Sequence, residues 1–272
     1  MNKFSAKNVI KLSRFDLKNN RRLIVGWMVS VFAITFLYMI LFSSMKEMAL
    51  AEWDSMPVEI LEFMGIKSFS IMNDYNGYFG MMYNLLLIAI SIFTVTFSAG
   101  IIFKEEKSKT IEFLYSLHLS RMEIYFSKVL TAVVAFLMVL LSLIASAAIC
   151  GFLNGGDTFI LSDFFQISFV SGFIAFFFTG VALFLGGITT RISVGMVSAM
   201  VVVASYLLGY LGELLKYKGN FLLYLSPFQL FSPTNALDMS SETVIHLVIY
   251  TAVMIALVAF GAIVYKRRDF NI

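Results

Sequence analysis

Charge is the first thing this sequence is short of. Only 14% of its 272 residues are Asp, Glu, Lys or Arg, while 60% are hydrophobic, and mean hydropathy is +0.87. Soluble domains carry about 25% charged residues, so a fold wrapped in water is excluded and lipid is the implied solvent. Cysteine is nearly absent: Cys150 stands alone, no intrachain disulfide can form, and redox compartment stays unread. Histidine is limited to His118 and His246, and proline to Pro57, Pro227 and Pro233. No G-x-x-x-x-G-K-[ST] stretch occurs; the one Lys beside a Gly is Lys218, before Gly219. The chain therefore has no phosphate-binding loop of its own. The net charge of +3 points, in so apolar a chain, to membrane phosphate rather than nucleic acid.

What is present in abundance is long apolar runs. A helix needs about 20 apolar residues to cross the hydrocarbon core. Six stretches qualify: Leu23–Ser43, Met81–Phe103, Val129–Cys150, Phe164–Ile188, Ser193–Gly212 and Val244–Tyr265, none containing Lys, Arg, Asp or Glu. One such residue at a span centre costs roughly 2.5–3.5 kcal/mol for insertion. The runs are continuous rather than alternating, which excludes barrel strands. The expected fold is all-α and polytopic, with six transmembrane helices in a domain 23–265. Segments 1–22, 104–128, 189–192 and 266–272 hold 16 of the 20 Lys and Arg residues. Segments 44–80, 151–163 and 213–243 hold the other four. The positive-inside rule puts the first set, and with it both termini, in the cytoplasm. A 22-residue basic region before a 21-residue apolar run is too long for a cleaved signal peptide.

Within 1–22, Lys3, Lys7, Lys11, Arg14, Lys18, Arg21 and Arg22 fall within about 100° of one helix face. The other side mixes Phe4, Val9, Leu12 and Phe15 with Ser5, Asn8 and Asp16, an imperfect apolar stripe. This segment reads as a basic helix at the inner headgroups, with membrane lipid as its partner. In the loop 104–128, Glu105 and Glu106 continue the second span. Ile111, Phe113, Leu114, Leu117 and Leu119 make a short amphipathic piece, and Ser120-Arg-Met-Glu123 reads as a capping box opening the third span. So apolar a loop suits a docking surface for a cytoplasmic partner.

The run Glu105-Glu106…Lys109-Thr110-Ile111-Glu112-Phe113-Leu114-Tyr115-Ser116-Leu117…Ser120-Arg121…Lys128 resembles the E-[RE]-x-x-G-T-L-E-x-L-x-S-x-P-[VI]-S-R…K signature of type 2 ATP-binding-cassette (ABC) exporter permeases. Two further stretches are similar to family features. Tyr224-Leu-Ser-Pro-Phe-Gln-Leu-Phe-Ser-Pro233 resembles the outer segment before the last span. Tyr265-Lys-Arg-Arg-Asp-Phe270 resembles the basic tail of the branch holding nitrous-oxide-reductase maturation and peptide-resistance permeases. Lys109 stands where the family has glycine and His118 where it has proline. The resemblance implies a cytoplasmic coupling helix seated on an ATPase, with Glu105, Glu106, Thr110, Glu112, Phe113, Leu117, Ser120 and Arg121 at the contact. It also implies two ATPase subunits that bind ATP and Mg, and a second permease copy or paralogue beside this chain.

The expected function is therefore the permease subunit of an ATP-driven exporter, not itself an enzyme and without its own cofactor. A path poor in charge suits an amphipathic cargo such as an antimicrobial or toxin peptide, a drug or a lipid. Two other classes compete. A secondary transporter or channel usually places ionisable groups within the bilayer, whereas Asn84, Gln166, Tyr38, Tyr206, Tyr210 and Tyr250 are the main polar groups here, suited to interhelical hydrogen bonds. An intramembrane metalloprotease would need His118 and His246 together, and the charge-derived topology puts them on opposite sides. Gly195, Ala199 and Gly100 could allow close helix contact between two copies. The outer segments 44–80 and 213–243 read as short re-entrant or surface helices.

Overall fold

The computed structural model describes residues 4–52, 74–107, 119–188, 193–215 and 220–268. Its long helices are α1 (Ala6–Ile40), α3 (Tyr75–Lys107), α4 (Arg121–Asn154), α5 (Leu161–Ile188), α6 (Val194–Leu215) and α10 (Ser241–Arg267). Between them lie short helices α2 (Phe42–Glu52), α7 (Asn220–Leu223), α8 (Pro227–Leu230) and α9 (Pro233–Asp238), with a 3-10 turn at Gly156–Thr158. No strand occurs among the described residues. Six helices are long and apolar enough to cross a membrane, and they contain the six charge-free windows apart from residues 41–43 and Ser193. The protein is a polytopic α-helical membrane protein.

The order of packing follows from how far each helix is apolar all round. In α3 and α5, 61% of the most apolar window is buried inside the bundle, so these form its centre; for α10 the figure is 11%, which puts it at the rim. α1 packs chiefly on α4, and α10 on α5. Helix α1 has 35 residues and α4 has 34, each about 50 Å at 1.5 Å per residue. Both exceed the hydrocarbon core of about 30 Å, and the charged surplus of both falls at the same end. That end, the basic end, gathers residues 5–22, 102–107, 119–128, 183–187 and 261–268. The opposite end joins α1, α3, the 3-10 turn and the segment before α10. There Tyr75 N–H donates to Thr158 Oγ1 at 3.1 Å, Asn76 Nδ2 to Ile160 O at 2.9 Å, and Tyr78 Oη to Tyr38 O at 2.9 Å.

The segment expected before the last span turns back into the bundle. Pro227 and Pro233 each open a short helix, a position where the missing N–H costs nothing. Phe228 and Phe231 are buried, the first against Phe178 (5.6 Å between centroids) and Tyr206 (5.5 Å), the second against Phe173 (5.3 Å) and Tyr250 (5.4 Å). Phe178 lies about 25 Å along α5 from its first residue, so the segment is re-entrant. Irregular backbone at that depth needs donors from the protein. Gln166 Nε2 supplies them to Ala236 O (2.9 Å) and Leu237 O (3.2 Å), Tyr250 Oη to Tyr224 O (2.7 Å) and Ser205 Oγ to Leu225 O (3.3 Å). Of the other outer segment, residues 53–73 lie outside the described residues.

Gly195 faces Thr96 of the same chain, 3.7 Å from a Cβ built on it to Thr96 Cα, so that small residue serves packing within one copy. The closest helix approach is instead Gly187 of α5 on Gly261 of α10, where an added Cβ would lie 2.7 Å from a backbone oxygen. Gly187→Val should therefore push α10 off α5 and lower stability by about 1–3 kcal/mol through overpacking. Gly100, with open space around it, should accept Ala without loss. Thermal unfolding midpoints of the two purified variants in detergent check this.

Candidate functional site

The first two turns of α4 are where the basic end is assembled. Ser120 is the N-cap, and the capping box read from the sequence is present: Ser120 Oγ accepts from Glu123 N–H at 3.2 Å, and Glu123 Oε2 accepts from Ser120 N–H at 2.7 Å. The carboxylate does more. Glu123 Oε1 accepts from Ser5 N–H at 3.0 Å and Asn8 Nδ2 at 2.9 Å. Ser5 is the N-cap residue of α1, so one carboxylate lies at the start of two helices, where unpaired N–H groups and the positive ends of both dipoles favour an anion.

One turn further on, Lys128 Nζ meets Asp16 Oδ2 at 2.9 Å, both side chains 4% exposed. Thr131 Oγ1 donates to Ser13 Oγ at 3.0 Å. From there the helices run parallel in a constant register. Ser142 Oγ donates to Met28 O (2.8 Å), Ser146 Oγ to Phe32 O (2.9 Å), Cys150 Sγ to Phe36 O (3.8 Å) and Asn154 Nδ2 to Ile40 O (3.2 Å). Each step is four residues on both helices, one turn repeated. At the basic end the offset is larger by one turn: Ser5 meets Glu123 and Ser13 meets Thr131, each 118 residues on, while the long Lys128 side chain reaches along the helices to Asp16.

The same turns hold the end of α10. Arg121 Nη1 donates to Lys266 O at 3.2 Å and to Arg268 O, satisfying carbonyls that a helix C-terminus leaves open. Arg268 Nη1 donates to Gly186 O at 3.2 Å and its guanidinium lies 5.6 Å from the Phe103 ring centre. The buried Tyr125 hydroxyl shares its proton between Leu183 O (3.3 Å) and Val258 O (3.2 Å), above the Gly187–Gly261 contact. Lys104 Nζ reaches Asn20 Oδ1 at 3.5 Å, bringing the end of α3 to α1. Four helices are thus fastened at or beside the start of α4.

The residues singled out from sequence fall into three groups. Ser120 and Arg121 are in this assembly, both in intrachain roles. Glu105 and Glu106 are on the last turn of α3, and their side chains lie outside the described residues. Thr110, Glu112, Phe113 and Leu117 also lie outside them, as do Lys3 and His118. Lys7, Lys11, Arg14, Lys18, Arg21 and Arg22 are all exposed on α1. α1 is one uninterrupted helix through residue 22, so the basic segment and the first span form a single element rather than two. Its side opposite the cations, expected to be an apolar stripe with flaws, packs on α4, and the flaws are the contacts: Ser5, Asn8 and Asp16. Sequence reading misses those pairings, together with Tyr125 and the acceptors of Arg121. Asp16, the lone acid in residues 1–22, is the available signal. His246 lies at the far end, 5.6 Å from the Tyr224 ring.

Fold and site together define a six-span helical membrane protein whose third span organises one end of the bundle. Residues 14–266 match the family model described as multidrug efflux system permease Rv1217c, C-terminal domain. The match takes in nearly the whole chain, and the chain belongs to that family of efflux permeases. It does not bear on the nitrous-oxide and peptide-resistance branch. No curated protein and no solved structure matches the chain.

The buried pair yields a test. Lys128→Met alone takes the cation from beside the buried Asp16 carboxylate and should cost about 3–5 kcal/mol, whereas Asp16→Leu with Lys128→Met should recover most of that loss. Unfolding midpoints of the two single variants and the double variant measure the coupling.

Proposed function

We propose that this chain is the membrane subunit of an ATP-driven ABC exporter, working with two separate ATPase subunits and a second copy or paralogue of itself. Membership of an efflux permease family supports the transport class. The 104–128 likeness to type 2 ABC permeases supports the ATPase partner, which would bind the ATP and Mg that this chain has no loop for. Both termini and the basic end face the cytoplasm in this reading, since that end carries the excess of Lys and Arg. The cargo is an amphipathic compound such as a drug, a peptide or a lipid, in keeping with spans free of charge.

One observation carries the mechanism: α4 begins two residues after segment 108–118, and its first two turns are tied to α1, α5 and α10. A partner that displaces the 108–118 segment moves α4, and α4 takes the other helices along, because a helix with its backbone bonds satisfied internally transmits displacement as a rigid body. In this scheme Phe113 and Leu117 are the apolar anchors and Glu105, Glu106 and Glu112 the charge contacts. Thr110 and Ser120 shape the turn, and Arg121 holds α10 to the moving part.

Glu112→Lys with Phe113→Ala should cut recovery of ATPase subunits with the affinity-purified permease by tenfold or more, the loss expected of an aromatic hot spot worth over about 2 kcal/mol. Membrane insertion should be unchanged. Pull-down from native membranes followed by a blot for the ATPase decides it, and undiminished recovery would remove this interface.

A further inference from the structure

Several hydroxyls inside the bundle are taken up by their own helix. Ser98 Oγ donates to Thr94 O at 2.6 Å, Ser168 Oγ to Phe164 O at 2.7 Å and Thr179 Oγ1 to Ala175 O at 2.9 Å, each four residues back. Ser91 on α3, Ser171 on α5 and Ser198 on α6 depart from this. All three are at most 1% exposed, and their hydroxyls have no hydrogen-bond partner among the described residues. Asn84 Oδ1 on α3 and Ser226 Oγ on the re-entrant segment are buried and unpartnered in the same way.

These five groups come from four elements and lie at one depth. α3 and α5 run in parallel, Tyr83 Oη donating to Ser168 O at 2.7 Å and Thr94 Oγ1 to Ala175 O at 3.4 Å. Level residues thus differ by 81 to 85 in number, which sets Ser171 between Asn84 and Ser91 in height. α6 runs the other way, with Gly195 against Thr96. Three residues further along α6, Ser198 comes level with Phe93. Ser226 packs on Gly209 of α6, which the same antiparallel course sets level with Met82. All five therefore fall within about 16 Å along the bundle axis.

Their sides agree as well. Ser171 and Phe178 are seven residues apart and share a side of α5, the one that meets Phe228 of the re-entrant segment. Ser198 belongs to the buried side of α6 with Val202, Ser205 and Gly209, and that side holds Leu225 and Ser226. Asn84 and Ser91, again seven apart, share a side of α3, and Ser91 is about 60° round from Thr94, whose hydroxyl reaches α5. In hydrocarbon a polar atom without a partner is costly, and five in one region call for a common one. The charge-free windows of α3, α5 and α6 hold no Asp, Glu, Lys or Arg, so the chemistry that fits is uncharged.

We propose that α3, α5, α6 and the re-entrant segment enclose a hydrated binding site within a single copy of the bundle, for small uncharged groups that donate and accept hydrogen bonds, such as a hydroxyl or a primary amide. The site rests on the fold alone. Its use rests on the transport reading, under which it receives the polar part of an amphipathic cargo.

Thiol reagents test the site, because a thiol reacts as the thiolate and a dry apolar setting suppresses that form. Ser91→Cys, Ser171→Cys and Ser198→Cys are made singly in the full-length chain with Cys150→Ser, so that each variant holds one thiol. Leu143→Cys, at a position 0% exposed on α4, is the dry reference. The probe is 2-hydroxyethyl methanethiosulfonate, itself small, uncharged and hydroxylated, applied to native membranes and read by mass spectrometry. Each of the three cysteines should react roughly tenfold or more faster than the reference. The anionic 2-sulfonatoethyl reagent should be slower at them by a similar factor. Rates at the reference level for two of the three overturn the proposal, and so does equal reaction with the anionic reagent. A second arm needs no variant. Under X-ray hydroxyl-radical footprinting of the wild-type chain in membranes, Leu87 and Phe178 beside the site should be oxidised, and Leu143, likewise buried, should be spared. Oxidation no greater at the first two than at Leu143 overturns the site. Recovery of ATPase subunits by pull-down is untouched by either result, so the two readings fail separately.

Discussion

Everything at the basic end hangs on how α4 grips α1. Lipid offers two helices no hydrophobic reason to associate, because its tails are as apolar as their side chains. Close packing and hydrogen bonds must supply the attraction, and these two helices have both along most of their length. Their parallel course adds a difficulty, since like ends of two macrodipoles are brought together. Glu123 answers it by placing a carboxylate at both N-termini, bonded to Ser120 N–H at 2.7 Å and Ser5 N–H at 3.0 Å. Below it the Asp16–Lys128 pair holds two charges out of water 2.9 Å apart. Deeper still, one small or polar side chain per turn of α4 bonds a carbonyl of α1.

The two ends of the bundle are built on different physics. At the basic end, ionised groups bond to helix termini and to each other, and each contact joins two long helices. At the opposite end, rings fill the space: Phe228 and Phe231 are wedged among Phe178, Tyr206, Phe173 and Tyr250, and side-chain donors serve the re-entrant backbone. Directional bonds at one end transmit displacement, while aromatic packing at the other is less directional and can rearrange.

The spans are legible in the sequence because their signal is simple: about 20 residues without a charge are what a bilayer crossing demands, and a helix facing water has no use for them. The capping box is legible because its partners are three residues apart. Asp16 and Lys128 are 112 positions apart, and nothing local marks them as partners. Asp16 is visible only as a blemish in an apolar stripe. The rungs Ser142, Ser146, Cys150 and Asn154 recur every fourth residue, yet small residues at that spacing also suit contacts between copies, so the pattern alone does not choose. Gly195 likewise lies against Thr96 of its own chain. Arg121 suits a partner contact by its place in the motif, and its acceptors in the structure are backbone carbonyls of α10, which side-chain patterns do not announce. The family match reaches the permease class and does not bear on the branch.

The register of α1 on α4 is open to direct measurement, since Cys150 is the chain's one cysteine and sits on the ladder opposite Phe36. Single cysteines placed in turn at positions 34, 35, 36, 37 and 39 create one pair each with Cys150. A short thiol cross-linker in native membranes, read by mass spectrometry of the unreduced digest, should join Cys150 to positions 35, 36 and 39. Thr35 and Met39 are buried on the same helix as Phe36, whose carbonyl meets Cys150, while Ile34 and Leu37 are 44% and 63% exposed and should stay unlinked. Cross-linking at 34 or 37 in preference to 35, 36 and 39 would contradict the parallel register, and with it the account of how the start of α4 commands the bundle.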